Sequence, residues 1–265
     1  MFEELYAPLP DPEAYLARIG LAGEKVELTP EWLDRLTVAQ LQHIPFDDLD
    51  VWGRGDCPSL AVEDLFNKII LQGRGGYCYE LNSLFKAFLL SLGFDAYTVI
   101  CHLMGNRDYV GLPSHCAVVV RLGDMQYFID VGFGGKVPNG AVAFDGEIHH
   151  GYRIGREKFY TRVDEMTENG AKRFILFKDM PALPVELVPL NFNTSQAPGS
   201  GFRMRPMLQM RYPDGGASLA GRAFKYSRGE ERIERELTDV EDLKKVAKEY
   251  FTINVDNAPF REFDF

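Results

Sequence analysis

The sequence predicts an α+β protein, with helices in the first third, an antiparallel sheet or small barrel next, and further strands with one closing helix at the end. Three observations predict this order. Apolar residues recur at helical spacing before Gly93, short segments rich in β-branched and aromatic residues follow it, and a capped amphipathic stretch comes last. At 265 residues the chain is long enough to bury a sizeable core.

The first two helices are marked by a capping residue followed directly by proline. Asp11 with Pro12 predicts a short helix that runs to Ile19, and Thr29 with Pro30 predicts a second one. Aspartate and threonine side chains accept hydrogen bonds from the free N–H groups of a first helical turn, and proline at that position already has a helical φ angle. The sequence therefore predicts the first residue of both helices.

Two more helices are predicted before the periodicity changes. One begins near Ser59 and ends at Gly73, and the other runs from about Cys78 to Leu92, with Gly93 as its C′ residue. The apolar residues of the fourth helix are Leu81, Leu84, Phe85, Phe88, Leu89 and Leu92. A stripe this wide predicts that most of the helix is buried.

Short β-type segments occupy the remainder of the chain, separated by turn signals such as Gly123-Asp124. Strands are predicted at 96–103, 115–122, 126–131, 151–163, 172–178, 202–212, 217–226 and 231–237. The stretch 181–201, rich in Pro, Asn, Gly and Ser, is predicted to be a linker. Thr238 and Glu241 form a capping box that predicts the closing helix.

Charge and cysteine content exclude several classes of protein. A net charge of −10 makes nucleic acid and anionic membranes poor partners, although a local basic pocket for a phosphorylated cofactor is compatible with it. The longest apolar runs are too short to span a membrane, and acidic residues stand where a signal peptide is basic, so we expect a cytoplasmic protein. The four cysteines form no CxxC pair, so neither a disulfide framework nor a metal site is expected.

The segment 73–82, Gly-Arg-Gly-Gly-Tyr-Cys-Tyr-Glu-Leu-Asn, is the most informative part of the sequence. Its glycines allow close backbone approach or a positive φ angle just before a helix begins. Cys78 then lies in the first helical turn, where free N–H groups and the helix dipole favour a thiolate. Most buried cysteines are only small hydrophobic residues, so a nucleophile at Cys78 also requires a base nearby.

His115 is the best candidate base because of the segment that follows it. The strand that His115 opens turns at Gly123-Asp124 and returns through 126–131. If the two strands pair across a loop of even length, His115 and Asp130 lie on the same face. Asp130 is a carboxylate in an otherwise apolar strand, where it needs a partner. It could hold one imidazole nitrogen while the other deprotonates the thiol of Cys78.

These residues resemble the arylamine N-acetyltransferase family over nearly the whole chain. The resemblance is carried by Ile44-Pro45-Phe46 with Leu49, Arg74-Gly75-Gly76-x-Cys78-x-Glu80-x-Asn82, Ser114-His115 and Asp130-Val131-Gly132-Phe133-Gly134-Gly135. It implies an N-terminal helical bundle (1–92) that carries the nucleophile, a central antiparallel β-barrel with a linker (93–198) that carries His and Asp, and a C-terminal α/β lid (199–265). The Cys-His-Asp core would resemble that of cysteine proteases.

The same resemblance implies the chemistry. The donor would be acetyl-CoA, used as a cosubstrate with no permanently bound cofactor, and the acceptor an arylamine, arylhydrazine or N-hydroxyarylamine. Acetyl transfer would be ping-pong, through an acetyl-cysteine intermediate. The implied catalytic residues are Cys78, His115 and Asp130, the substrate-binding residues Phe46 and Phe133, and the coenzyme-binding residues Ser114, Gly132, Gly134 and Gly135, with no metal ligand.

The sequence departs from the family pattern at two places. Asp47 stands where the family has a glutamate that pairs with the arginine of the cysteine signature, so it would have to reach Arg74 with one methylene fewer. The loop 191–202 follows the family pattern loosely, so the resemblance gives little support for coenzyme contacts from Ser200 and Phe202.

Other functions remain open at this point. A related amide synthase acting on another acyl thioester would share the whole fold, and a Cys-His-Asp hydrolase would share the three catalytic residues. A binding protein with an inactive site is a third class, but it would have no need for the complete set. The acceptor pocket is expected to include side chains from all three regions and from the tail 257–265.

Overall fold

The computed structural model describes residues 2–105 and 109–262, and the predicted α+β class is confirmed. The helices are α1 (Pro12–Arg18), α2 (Pro30–His43), α3 (Val62–Phe66), α4 (Cys78–Ser91), α5 (Pro184–Gln196), α6 (Gly201–Met204) and α7 (Val240–Phe251). The strands are β1 (Phe46–Asp47), β2 (Asp95–Leu103), β3 (His115–Leu122), β4 (Met125–Ile129), β5 (Val142–Ala143), β6 (Ile148–His149), β7 (Tyr152–Glu157), β8 (Tyr160–Thr167), β9 (Gly170–Phe177), β10 (Met207–Tyr212), β11 (Gly215–Ala220), β12 (Ala223–Arg228) and β13 (Glu231–Glu236). Short 3₁₀ or π turns lie at Glu3–Tyr6, Asp50–Arg54, Asn67–Leu71 and Val255–Asn257.

The predicted caps explain where the N-terminal helices begin and end. The Asp11 carboxylate accepts hydrogen bonds from two backbone N–H groups at 3.0 Å each, and the Thr29 hydroxyl accepts one at 3.3 Å. Gly93 has a φ angle of +97° just beyond α4, as expected of a C′ glycine. The third predicted helix is shorter than expected, because α3 passes into a π turn after Phe66.

An eight-stranded antiparallel sheet forms a nearly closed barrel in the order β5-β4-β3-β2-β9-β8-β7-β6. Its edges approach each other where β5 lies against β7. One face of β3 packs inside the barrel through Ala117 and Val119, while the other packs with the helical core through Cys116, Val118 and Val120. Burial of both faces explains the continuous apolar run of β3 and places its first residue beside α4.

A five-stranded antiparallel sheet forms most of the C-terminal region, in the order β1-β10-β11-β12-β13. Its first strand comes from the N-terminal region, because Phe46 pairs with Gln209. Leu208 and Met210 of β10 belong to an apolar cluster that includes residues of α7, so this helix covers one face of the sheet. No helix within residues 2–105 and 109–262 is long and apolar enough to cross a membrane.

Three predicted strands have different bounds in the structure. The strand expected at 151–163 is two strands, β7 and β8, because the chain reverses at Lys158, whose φ angle is +52°. The strand expected at 217–226 is likewise β11 and β12, which are separated at Gly221 with a φ angle of +64°. Residues 201–204 form α6, so the strand expected from 202 begins only at Met207.

The cap of α7 lies one residue beyond the predicted box. Asp239, rather than Thr238, is the N-cap, and its carboxylate accepts a hydrogen bond from the Asp242 N–H at 2.8 Å. The backbone N–H of Thr238 instead donates a hydrogen bond to the Asp242 carboxylate at 3.2 Å. The aspartate therefore replaces the threonine as the capping side chain, and the helix itself is where it was predicted.

Most of the stretch 181–201 is the helix α5 rather than the loop that its composition suggested, and its role as a linker stays a prediction. The start of α5 is capped by the Glu186 carboxylate, which accepts a hydrogen bond from the Leu183 N–H at 2.6 Å. Some of the polar residues that gave this stretch a loop-like composition are buried and hydrogen-bonded. The side-chain amide of Asn191, for example, donates a hydrogen bond to the Pro58 carbonyl at 2.8 Å. Domain boundaries at 92 and 198 stay a prediction, and the last three residues of the tail 257–265 lie outside the described residues.

Candidate active site

Cys78 is the first residue of α4, and its side chain is buried. The helix start is fixed by Glu80, whose carboxylate accepts a hydrogen bond from the Tyr77 N–H at 3.1 Å. The N–H groups of a first helical turn have no acceptor within their own helix. The cysteine therefore lies where free backbone donors and the positive end of the helix dipole meet.

His115 and Asp130 lie at the open end of the β3–β4 ladder. Val118 pairs with Ile129, which makes His115 and Asp130 diagonal neighbours beyond the last pair. The His115 Nε2 atom lies 2.7 Å from Asp130 Oδ2, and both side chains are buried. The prediction that the two residues share a face is confirmed.

The surroundings of His115 favour its charged form. Burial alone would lower the pKa of the imidazole, but the Asp130 carboxylate and a side-chain hydrogen bond with Cys78 together raise the pKa of His115 to about 10. Because Asp130 holds Nε2, Nδ1 is the nitrogen left for Cys78. The structure thus brings the three predicted residues together in an arrangement that suits proton transfer from thiol to imidazole.

Asn82 has a place in this site that the sequence did not predict. Its Nδ2 atom donates to Asp130 Oδ1 at 3.0 Å and to a backbone carbonyl of β3 at 2.8 Å, while its Oδ1 accepts from the Val131 N–H at 3.1 Å. The Gly132 N–H also donates to Asp130 Oδ1, at 3.0 Å. Asn82 lies one helical turn after Cys78, and the signals available in the sequence were this i,i+4 spacing and its place in the cysteine signature. It joins the cysteine helix to the aspartate.

The glycines after Asp130 allow close packing within the protein. A Cβ atom on Gly132 would lie 2.6 Å from the Asn82 amide and 2.8 Å from the Cys78 Cα. A Cβ on Gly134 would lie 2.9 Å from the Phe46 ring. These distances are too short for a Cβ atom, so packing within the protein requires glycine at positions 132 and 134, whether or not a coenzyme binds there.

The two predicted substrate-binding aromatics lie beside this glycine segment. The Phe133 ring meets His115 edge-on, with 5.5 Å between ring centroids, and a Cβ on Gly135 would lie 2.9 Å from the same Phe133 ring. Phe46 is buried, and its centroid lies 6.1 Å from that of Phe202. Contacts of these rings with a substrate, and of Ser114 and the glycines with a coenzyme, stay predictions.

Asp47 reaches Arg74 despite its shorter side chain. Asp47 Oδ1 lies 3.1 Å from Arg74 Nη2, and Asp47 Oδ2 accepts a hydrogen bond from the Gly75 N–H at 2.9 Å. The Asp47 N–H also donates to the Gly76 carbonyl at 2.9 Å, so β1 is bonded directly to the loop before Cys78. This short backbone distance compensates for the missing methylene.

Further charged groups and the C-terminal region support the same loop. Lys68 contacts Asp50 and lies 2.6 Å from Glu80. Burial raises the pKa of Glu80 to about 7, although Lys68 opposes this. Residues near position 255 also bond to this loop. Arg74 Nη1 donates a hydrogen bond to the Asn257 carbonyl at 2.9 Å, and the Asn254 N–H donates one to the Gly73 carbonyl at 3.0 Å.

Replacing Arg74 by Met is expected to destabilise the protein by about 3–5 kcal/mol, because it leaves the buried Asp47 carboxylate without its cation. Thermal unfolding of the variant measures the loss. Arg35→Met is the matched control, because the Arg35–Glu24 pair is exposed and is worth at most about 1 kcal/mol. Equal melting temperatures for wild type and Arg74→Met would contradict an anchoring role for Arg74.

Comparisons with known proteins show which sequences and folds this chain is similar to. A family model described as N-acetyltransferase matches residues 29–260. The chain is 28% identical to arylamine N-acetyltransferase of Escherichia coli (strain K12), covering 92% of this chain and 89% of that protein, and 25% identical to human arylamine N-acetyltransferase 1, covering 92% and 94%. The fold matches a structure of the arylamine N-acetyltransferase from Salmonella typhimurium with a TM-score of 0.85, at 25% identity over 93% of this chain and 92% of that one. It also matches the Mycobacterium marinum enzyme in complex with CoA with a TM-score of 0.84, at 24% identity over 93% and 94%.

Proposed function

The chain belongs to the arylamine N-acetyltransferase family, and we propose that it transfers the acetyl group of acetyl-CoA to an arylamine, an arylhydrazine or an N-hydroxyarylamine. One observation carries the proposal: His115 Nε2 lies 2.7 Å from Asp130 Oδ2, and Cys78 at the start of α4 is among the groups that raise the pKa of His115. This gives a nucleophile, a base and an orienting carboxylate in one place. The names of the relatives, and the CoA complex of one of them, support the choice of substrates.

In the first half of the reaction, His115 Nδ1 takes the proton of the Cys78 thiol. The thiolate attacks the carbonyl carbon of the acetyl thioester, and free N–H groups of the first turn of α4 are placed to stabilise the oxyanion. The bond between the acetyl carbon and the coenzyme sulfur then breaks. Coenzyme A leaves as the thiol with the proton held by His115, and the acetyl group stays on Cys78.

In the second half, the acceptor amine attacks the acetyl carbon on Cys78. His115 takes the proton that the amine nitrogen loses, and Asp130 stabilises the imidazolium. The carbon–sulfur bond to Cys78 breaks, and the thiolate recovers its proton from His115. In this scheme Phe46 and Phe133 bind the aromatic ring of the acceptor, a role for which aromatic side chains are well suited.

The remaining parts of the proposal concern the coenzyme and the organisation of the chain. The coenzyme would be contacted by the backbone of four residues, Ser114, Gly132, Gly134 and Gly135. The helical region 1–92 would act as the domain that supplies the nucleophile, the barrel region 93–198 as the one that supplies the base and carboxylate, and 199–265 as the lid. A cytoplasmic location is also part of the proposal.

Release of free thiol from acetyl-CoA, measured with and without an arylamine, tests the function. We expect a burst of about one thiol per chain without the amine and continuous release with it, because the acetyl-cysteine waits for an acceptor. A Cys78→Ala variant is the control and should show neither. Continuous release at the full rate without any amine would instead identify a hydrolase.

Gly132→Ala is expected to lower both stability, by about 1–3 kcal/mol, and the rate of acetyl transfer, because the new methyl group displaces Asn82 or Cys78. Melting temperature and kcat/KM are the measurements. Gly199→Ala is the matched control, since nothing lies within 4 Å of a Cβ atom there. Wild-type behaviour of Gly132→Ala would show that the loop adjusts freely.

A further inference from the structure

A cavity lies among the N-terminal helices, apart from the candidate active site. Its volume is about 380 Å³, within the usual range of small-molecule sites. Its walls are the segment 5–9, Val62 at the start of α3, one face of α4 and Pro184 at the start of α5. We call it the helix pocket. No member of the candidate catalytic triad lines it, so the cavity is a separate place for a ligand.

The polar groups of the helix pocket come from α4. Lys86, Ala87, Leu90 and Ser91 line the cavity with the spacing of a single helical face. Ser83, one turn before Lys86, lines a smaller recess of about 10 Å³ that shares Lys86 and three apolar residues with the pocket. The recess has room for about one water-sized group. A ligand atom in the recess would therefore lie beside both Ser83 and Lys86.

Lys86 is a partly buried cation without an anionic partner. No carboxylate of residues 2–105 or 109–262 lies within ion-pair distance of its ammonium group. The other described lysines that are not exposed, Lys68 and Lys244, do contact carboxylates. Burial lowers the pKa of Lys86. A charge withdrawn from water without a partner is costly, and a bound anion would offset that cost.

Ser83 supplies an independent observation. Its Oγ atom is buried and has no hydrogen-bond partner among the described residues. Most buried hydroxyl groups have a partner, and a serine inside a helix commonly bonds to the carbonyl four residues before it. The hydroxyl of Ser83 can instead donate to an acceptor in the recess. An unpaired donor and an unpaired cation one helical turn apart indicate that the acceptor is an anion.

The remaining walls of the helix pocket are mostly aliphatic. Leu5, Leu9, Val62 and Leu90 line it, and Lys86 is its one charged residue. Leu90 is exposed, so a ligand that covers it removes apolar surface from water. A phosphate group carries nearly two charges and three strong acceptor oxygens, which exceeds what one cation and one hydroxyl can satisfy. The pocket therefore suits a monovalent carboxylate with an aliphatic chain.

We propose that the helix pocket binds a free fatty acid anion of medium chain length. Its carboxylate accepts hydrogen bonds from the Lys86 ammonium and the Ser83 hydroxyl, and its chain lies along Val62 and Leu90. At 1.5 Å per residue, Lys86 is about 12 Å along α4 from Cys78, so the bound chain leaves the thiol accessible. The proposal does not depend on the proposed function.

Calorimetry of the full chain at neutral pH tests it with three probes: octanoate, octanamide and butyrate. We expect octanoate to bind at least about tenfold more tightly than octanamide, which has the same chain without the charge. Affinity should rise by up to about fourfold for each methylene between butyrate and octanoate, as expected when a CH₂ group is buried. Absence of octanoate binding, or equal binding of octanoate with either other probe, would overturn the proposal.

Lys86→Met should weaken octanoate binding by at least about tenfold, because methionine keeps an unbranched side chain but has no charge. Its melting temperature without ligand should equal or exceed that of the wild type, since the ammonium has no carboxylate partner to lose. Octanoate should raise the melting temperature of the wild type alone. Lys244→Met is the control and should bind octanoate normally, because Lys244 pairs with Glu241 in α7. Equal octanoate binding by the wild type and Lys86→Met would place the ligand elsewhere and overturn the proposal.

Ser83→Ala provides a second test if Lys86→Met does not fold. Alanine removes only the unpaired hydroxyl, so octanoate affinity should fall about tenfold. Ser91→Ala is the matched control, because Ser91 lines the same pocket but already donates its hydroxyl to the Phe88 carbonyl at 2.7 Å. It should bind octanoate like the wild type. Unchanged affinity in Ser83→Ala would overturn the placement of the carboxylate at the recess.

Discussion

Asp130→Asn is expected to fold normally and to lower kcat/KM for acetyl transfer by about 10⁴-fold, as replacement of an orienting aspartate does when it fixes the wrong imidazole tautomer. The expectation follows from the donors around the carboxylate. Asp130 Oδ1 accepts hydrogen bonds from Asn82 and Gly132, so an asparagine must keep its carbonyl oxygen there. Its NH₂ group then faces His115.

The consequence for His115 is a change of tautomer. Nε2 would have to accept a hydrogen bond from the new NH₂ group, so the ring proton would move to Nδ1. A protonated Nδ1 in neutral imidazole cannot take the proton of Cys78, and the reaction loses its base. The loss should appear in the burst of thiol release as well as in turnover, because both need the thiolate.

Asp145→Asn is the control for this substitution. Asp145 also contacts a histidine, His149, at 2.9 Å, but both side chains are partly exposed; Asp145 lies in the turn before β6 and His149 is in β6. This variant should keep wild-type kinetics. Full activity in Asp130→Asn would remove Asp130 from the catalytic set, and a large fall in melting temperature would reassign it to a structural role.

Cys78→Ala is expected to abolish acetyl transfer, a fall of about 10⁵-fold or more, because no other group can carry the acetyl intermediate. In the wild-type protein, a limiting amount of iodoacetamide at a pH of about 6 should label Cys78 first. A free thiol is almost wholly protonated there, whereas a thiolate paired with an imidazolium persists. Peptide mass analysis and activity assays on the same samples should show that activity falls in proportion to the labelling of Cys78.

The other three cysteines serve as internal controls. Cys101 and Cys116 are fully buried, and burial raises the pKa of both thiols, so they should stay unlabelled. Cys57 is exposed and therefore accessible, but it has no imidazole partner among the described residues. Labelling of Cys57 before Cys78, or complete alkylation of Cys78 with activity intact, would rule out Cys78 as the nucleophile.

Local signals in the sequence predicted the helices well and the loops less well. The ends of α1, α2 and α4 depend on short-range contacts, such as the cap at Asp11, that neighbouring residues reveal. The stretch that became α5 has a loop-like composition, and it forms a helix because Asn191 finds partners elsewhere in the fold. The hairpin at Lys158 was missed because a lysine with positive φ gives no turn signal in the sequence.

The same distinction applies to the site. The candidate triad could be proposed from the sequence because Cys78 lies in a distinctive local motif and because strand parity relates His115 to Asp130. The part played by Asn82 could not, since its hydrogen bonds reach residues beyond position 115.

The bonds from the end of the chain to the cysteine loop also set the order of events during synthesis. Gly73 and Arg74 receive their partners Asn254 and Asn257 only after the last strand and α7 have been made. Contacts between such distant parts of a chain form late in folding, because the long intervening loop must close first. A nascent chain on the ribosome therefore has its thiol before it has the finished loop. We expect it to become able to accept an acetyl group only after Asn254 and Asn257 have been added and have reached the loop.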